Sequence, residues 1–407
     1  MITNRKKRSA VLIAVVLALV TGAPLARAAR LAAITVTTGR DYVFAQQMVF
    51  TLTASSDANI TRAAVYYQSD RGGLQQREAA FESAPTINAM ETIELRGGAI
   101  PPFSKVTFWW EIADAAGQTL TTPRETFDYY DNRYDWQIVS DQGITVRWVA
   151  GDAAFGEALL DTAIESLPAI ADEIGVTPPA RIDIYAYPGR EDLIGALRLG
   201  GREWAAGQAR PELGVVLVDV PFTADAPVLT RRLIPHELTH LLIYQATQPN
   251  YDSVPAWLDE GLAVANEGSP DPVFATTLDK ATRADALFAF AQLCAPFPSD
   301  AGQALLAYAQ SGSLMQFVRD RYGADAIRRL LRVYREQASC EPGVERALGV
   351  TLPALENDWR NRSAAGTQAV GAVVETSAPW LALWLILSLA LLPIVIGLPS
   401  LVRRGQK

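Results

Sequence analysis

The chain has 407 residues, of which 49% are hydrophobic and 20% charged. This composition excludes wholesale disorder, and the length allows two domains, each with its own core. The net charge is −8 and becomes more acidic once the basic N-terminus is set aside, which excludes nucleic acid as the main partner.

At the N-terminus, Arg5, Lys6, Lys7 and Arg8 precede an apolar run at 10–20. Ala26-Arg27-Ala28 then has the small-x-small form of a cleavage site. Residues 1–28 therefore read as a signal peptide, since the apolar run is short for a membrane span. Residues 31–130 predict an immunoglobulin-like β-sandwich. Alternating runs at 48–54, 63–68, 92–95 and 106–112 are separated by turn formers such as Ser55-Ser56-Asp57 and Arg71-Gly72-Gly73. About seven strands in about 100 residues is the usual size of such a sandwich. It holds no candidate catalytic group and reads as a spacer or docking module.

The aromatic and acidic stretch 127–136 (FDYYDNRYDW) reads as a junction. Beyond it the pattern predicts a strand at 144–149 and a helix at 152–175, with Phe155, Leu159, Leu160, Ala163, Ile164 and Leu167 on one face. A strand at 181–187, a helix at 191–199 and a strand at 214–220 follow, and then almost continuous helix from 225 to about 362. The expected fold class is α+β: the sandwich, then a mixed α/β lobe and a helical lobe spanning 136–362. No internal repeat is visible.

Residues 363–378 are small and polar and suit a tether. The run 379–402 carries no charge and is long enough to cross a bilayer as a transmembrane helix. Trp380 and Trp384 lie at its near end, and Arg403, Arg404 and Lys407 follow it. The positive-inside rule makes 403–407 a cytoplasmic tail and places the body outside the cell membrane. The basic end argues against a lipid-anchor signal. Cys294 and Cys340 are the only cysteines. Export allows them to form a disulfide, and the alternative is two buried free thiols.

The chain has only two histidines, in the run His236-Glu237-Leu238-Thr239-His240. A spacing of four places both imidazoles on one helix face, one turn apart, where they can share a metal. The flanking Leu233, Ile234, Leu238, Leu241, Leu242 and Ile243 mark a buried helix, and two imidazoles and a carboxylate in such a helix need a reason. Pro235 either starts this helix or kinks a longer one. A catalytic zinc site needs a third protein ligand and an open position. Glu260 in Trp257-Leu258-Asp259-Glu260-Gly261 is the candidate, on a second helix that begins near Pro255. Asp259 is its rival but faces another side of that helix.

The HELTH run at 236–240, PAWLDEGLA at 255–263 and LAYAQSGSLMQFVRDRYG at 306–323 resemble the gluzincin branch of zinc peptidases. The resemblance is narrower to the peptidase MA-like bacterial families and covers roughly 136–362. It implies a thermolysin-like fold and Zn2+ held by His236, His240 and Glu260. The chain departs from the thermolysin pattern at Val264, where an acid would steady a zinc histidine; Asn266 and Asp259 are the candidates for that support.

The function this implies is a membrane-anchored extracytoplasmic metallopeptidase that hydrolyses peptide bonds of a peptide or protein substrate. Glu237 acts as general base toward a zinc-activated water. The oxyanion donor cannot be histidine, and Tyr308 is the candidate, ahead of Tyr244 and Tyr322. Residues 204–209 and the strand 214–220 occupy the place of a substrate-pairing edge strand, where Gly207 would let two backbones approach; a plain sheet edge is the alternative. The competing functions are a non-enzymatic surface adhesion module with a structural or vestigial metal site, and a zinc hydrolase acting on another bond.

Overall fold

The computed structural model describes residues 33–95, 100–197 and 206–362. The expected signal peptide, tether, membrane span and tail lie outside these residues. Among the described residues no helix is long and apolar enough to cross a membrane.

The N-terminal region is built from two antiparallel sheets. One has the order β1 (Thr35–Val43), β2 (Gln47–Ser55), β5 (Thr86–Glu94). The other runs β4 (Gln75–Glu78), β3 (Ile60–Ser69), β6 (Lys105–Asp114), β7 (Thr119–Thr121), with β8 (Glu125–Asp128) also paired to β6. Alternation sets the faces. In β2, Met48, Phe50, Leu52 and Ala54 are buried, and in β6, Val106, Phe108, Trp110 and Ile112. The two inner faces meet in one core, with the Phe50 and Phe108 rings 4.8 Å apart. The described residues hold eight strands here instead of about seven. β5 begins at Thr86, well before the apolar run at 92–95, because its first half alternates with polar residues.

The expected junction is a rivet. Asp131 is fully buried and accepts bonds from the Arg133 guanidinium at 2.8 and 2.6 Å and from the Tyr187 hydroxyl at 3.0 Å. Tyr134 and Trp136 pack edge-on against Tyr187. A third sheet follows with the order β12-β13-β11-β10-β9. Its strands are β9 (Gln137–Asp141), β10 (Ile144–Trp148), β11 (Ile182–Tyr187), β12 (Gly207–Arg210) and β13 (Val215–Asp219). β10, β11 and β13 are mutually parallel, and the outer strands β9 and β12 are antiparallel to their neighbours. α1 (Ala153–Ile174) makes the crossover from β10 to β11. Asp152 caps its start through the Phe155 N–H at 3.0 Å, and Gly175 ends it in the left-handed conformation. α2 is Arg190–Leu197.

The helical lobe comprises α3 (Ala226–Thr247), α4 (Ala256–Ala265), α5 (Pro272–Arg283), α6 (Ala301–Tyr322), α7 (Ala324–Arg335) and α8 (Cys340–Leu348), with further helix at 352–362. All six apolar neighbours of the histidine motif are buried. Each contributes roughly 1.5–3 kcal/mol relative to exposure, which holds α3 rigidly against α1 and the sheet. The stretch between α5 and α6 is not helical apart from the turn Gln292–Cys294. It is pinned by the disulfide Cys294–Cys340.

Candidate metal centre

Pro235 lies inside α3, so the longer, interrupted helix is the one that forms. Proline has no N–H to give to the carbonyl four residues back. That carbonyl, Arg231 O, instead accepts from the Gly268 N–H at 2.9 Å. The bond ties the chain just past α4 to the motif helix. Arg232 adds a second fastening: its guanidinium donates to Ser269 O at 3.1 Å and pairs with Asp271 at 2.6 Å. Together they bring Glu267 against His236.

α4 is placed by Trp257, Leu258 and Leu262, all fully buried, and by its close approach to α6. A β-carbon on Gly261 would stand 2.6 Å from Ser311 O, so glycine is what allows that approach. Val264 packs against Gly312 in the same seam, which is why position 264 is apolar and supplies no acid. Glu260 faces away from the seam, toward α3.

His236, His240 and Glu260 offer three ligand atoms all within 4.8 Å of one another. The Nε2 atoms of His236 and His240 lie 3.7 and 3.5 Å from Oε2 of Glu260. Tetrahedral zinc with bonds of about 2.0–2.1 Å sets its donors roughly 3.3 Å apart, so this set fits zinc with a small contraction. The far nitrogens are committed elsewhere. Nδ1 of His236 is 3.1 Å from Glu267, and Nδ1 of His240 is 3.0 Å from Asp259. A carboxylate only accepts, so each Nδ1 carries a proton and Nε2 is the nitrogen each imidazole would offer to a metal. Tyr251 donates to the other Asp259 oxygen at 2.9 Å.

Of the two candidates for histidine support, Asp259 fills the role. Asn266 does not: its amide donates to Thr239 and its carbonyl oxygen accepts from Arg319. Glu267 is not among the sequence candidates: it lies just past the end of α4, where helical spacing carries no signal for it. Glu237 is buried beside the histidines. β12 forms at the sheet edge, and a β-carbon on its Gly207 would meet the Glu237 carboxylate. Trp204 and Ala205 lie outside the described residues. Tyr308 lines the same cavity, with its ring 6.5 Å from that of His236. Tyr244 packs on Tyr251 and lines a different cavity, and Tyr322 ends α6 away from the site.

The charges are mutually dependent. Burial opposes the His236 imidazolium, yet bonds to Glu260 and Glu267 carry its pKa up to about 9. Burial likewise opposes the His240 imidazolium, which Asp259 and Glu260 outweigh, so its pKa lies well above the ordinary value. Burial would raise Glu260, but the two imidazoles hold its carboxyl well below the usual range. The Glu237 carboxyl is pushed up by burial, with the imidazoles acting against it. A divalent cation bound by this cluster would displace those protons. The cavity around it measures about 720 Å3 and is walled by β12, α3 and the starts of α5 and α6.

A family model of the peptidase MA superfamily matches residues 162–365, half of the chain. The chain belongs to that superfamily. Among solved structures it is similar to an M1 zinc metallopeptidase variant from Deinococcus radiodurans, at 13% identity and a TM-score of 0.38, covering 81% of this chain and 93% of that one. It is also similar to a carbohydrate-binding module family 56 β-1,3-glucan binding domain, at 20% identity and a TM-score of 0.17, covering 23% of this chain and 98% of that one. At these scores neither likeness bears on ligand or activity. No curated protein sequence matches the chain.

Proposed function

We propose that this chain is a zinc metallopeptidase of the gluzincin type, with a thermolysin-like catalytic domain carried behind an immunoglobulin-like sandwich. The observation that carries the reading is the convergence of His236, His240 and Glu260, with the Nδ1 of each imidazole held by a carboxylate. These three residues would hold the ion. When bound, zinc supplies Lewis acidity, which polarises a peptide carbonyl and acidifies water. Glu237 receives the proton of the attacking water at its carboxylate and delivers it to the leaving amine. The Tyr308 hydroxyl donates to the carbonyl oxygen as charge gathers there. Superfamily membership supports a peptide bond as the target.

The reading includes one membrane span at 379–402 with the catalytic domain outside the cell membrane. The Cys294–Cys340 disulfide supports an oxidising compartment.

Full-length protein in detergent, purified without chelators, should carry about one zinc per chain and cleave a mixed-sequence peptide library. Glu237→Gln should retain the zinc and lose cleavage. Absence of zinc sinks the site, whereas zinc without cleavage by the wild type overturns the peptidase reading.

A further inference from the structure

The backbone of Gly207 has an ordinary extended conformation, and its φ is not among the positive values seen at other glycines. Nothing in the local chain path therefore demands glycine. What forbids a side chain is a single neighbour. A β-carbon here would stand 2.4 Å from Oε1, 2.9 Å from Cδ and 3.0 Å from Cγ of Glu237. The obstruction is the whole carboxyl arm of one residue.

The strand pairing explains the placement. The Asp219 N–H donates to Ala206 O at 2.8 Å, so Ala206 and Asp219 form a hydrogen-bonded pair. The next pair, Gly207 opposite Val218, is then a non-bonded one, as is Ala209 opposite Val216. The polar groups of Gly207 and Ala209 accordingly point off the free edge of β12. β12 lies directly against α3, the helix that carries Glu237. The backbone of Glu237 cannot retreat, because α3 is fixed by the buried Leu233, Ile234, Leu238 and Leu241, so any relief must come from rotation of the side chain.

We infer that Gly207 is a positioning residue for Glu237: the bare backbone of β12 is the wall against which the carboxylate is held. The catalytic meaning of this rests on the peptidase reading above; the contact itself does not. A methyl group at 207 would turn the carboxylate out of place, and none of the three atoms nearest to it belongs to His236, His240 or Glu260.

The test uses full-length protein and the variants Gly207→Ala, Glu237→Ala and their combination. Gly207→Ala should bind zinc at the wild-type stoichiometry and keep KM within about twofold, with kcat on a peptide library lowered on the order of 10²-fold, the scale of a misplaced reacting group. Gly207→Ala should lower Tm in the wild-type background and leave it unchanged in the Glu237→Ala background, where the obstructing arm is gone. A single variant that does not fold beside a double variant that does supports the same contact. Wild-type kcat in Gly207→Ala overturns the inference, and so does an equal loss of Tm, or loss of folding, in both backgrounds. If the wild type cleaves no peptide but the Tm coupling is present, the contact stands and the peptidase reading falls.

Discussion

Glu267 does its work from outside the metal-binding set. It lies past the end of α4, touches His236 through one oxygen and sits 4.0 Å from the Arg232 guanidinium through the other. Asp259 serves His240 in the same manner. Groups that orient a ligand histidine in this way typically contribute 10–100-fold in metal affinity. Glu267→Ala and Asp259→Ala should therefore each weaken zinc binding by roughly 10–100-fold, measured by competition with a chromogenic chelator. The raised His236 pKa of about 9 gives a sign as well. In the metal-free protein the imidazole is protonated below that value and must lose the proton to ligate. Zinc binding near neutral pH should release protons, and apparent affinity should fall as pH drops; titration calorimetry in buffers of different ionisation enthalpy reads this directly. Tyr308→Phe should keep its zinc and lose kcat on the order of 10²–10³-fold, the usual effect of removing one oxyanion donor.

The elements that carry these residues are held by small groups and one proline. The α4–α6 seam depends on Gly261 and Gly312, against which Ser311 O and Val264 pack. Gly261→Ala would force the helices apart beside Glu260. We expect about 1–3 kcal/mol of destabilisation, as for other overpacked sites, together with weaker zinc binding, by denaturant titration and metal analysis. Pro235 acts through what it lacks. An N–H restored by Pro235→Ala would compete with Gly268 for the Arg231 carbonyl. Helix stability should hold or rise while zinc affinity declines, an opposed pair of outcomes that simple damage to the fold would not produce.

Across the whole molecule, the sandwich and the catalytic sheet share one hydrophobic core. Tyr185, Tyr187, Val215 and Leu217 of the third sheet belong to the same buried cluster as Phe50 and Phe108 of the sandwich. Asp131 is the polar centre of that junction. Removing one partner of a buried ion pair leaves the other uncompensated. Asp131→Ala strands Arg133 and the Tyr187 hydroxyl and should cost about 3 kcal/mol. Because the third sheet buries one face against the sandwich and the other against the helices, thermal unfolding should show one transition for both regions, followed by calorimetry.

Local pattern was enough for much of this. Alternation identified β2, β3 and β6, and apolar periodicity placed α1 to within one residue at each end. The histidine pair was legible because helical spacing of four alone brings both imidazoles to one face, and Glu260 because its flanking motif marks the second helix. These are properties of single elements, governed by backbone periodicity. What the tertiary structure decided are contacts between elements: Glu267 on His236 through a carbonyl freed by Pro235, Asp259 chosen over Asn266, and Gly207 beneath Glu237. No periodicity encodes these, because each depends on where two separately formed elements come to rest against each other, and that is set by the packing of the core.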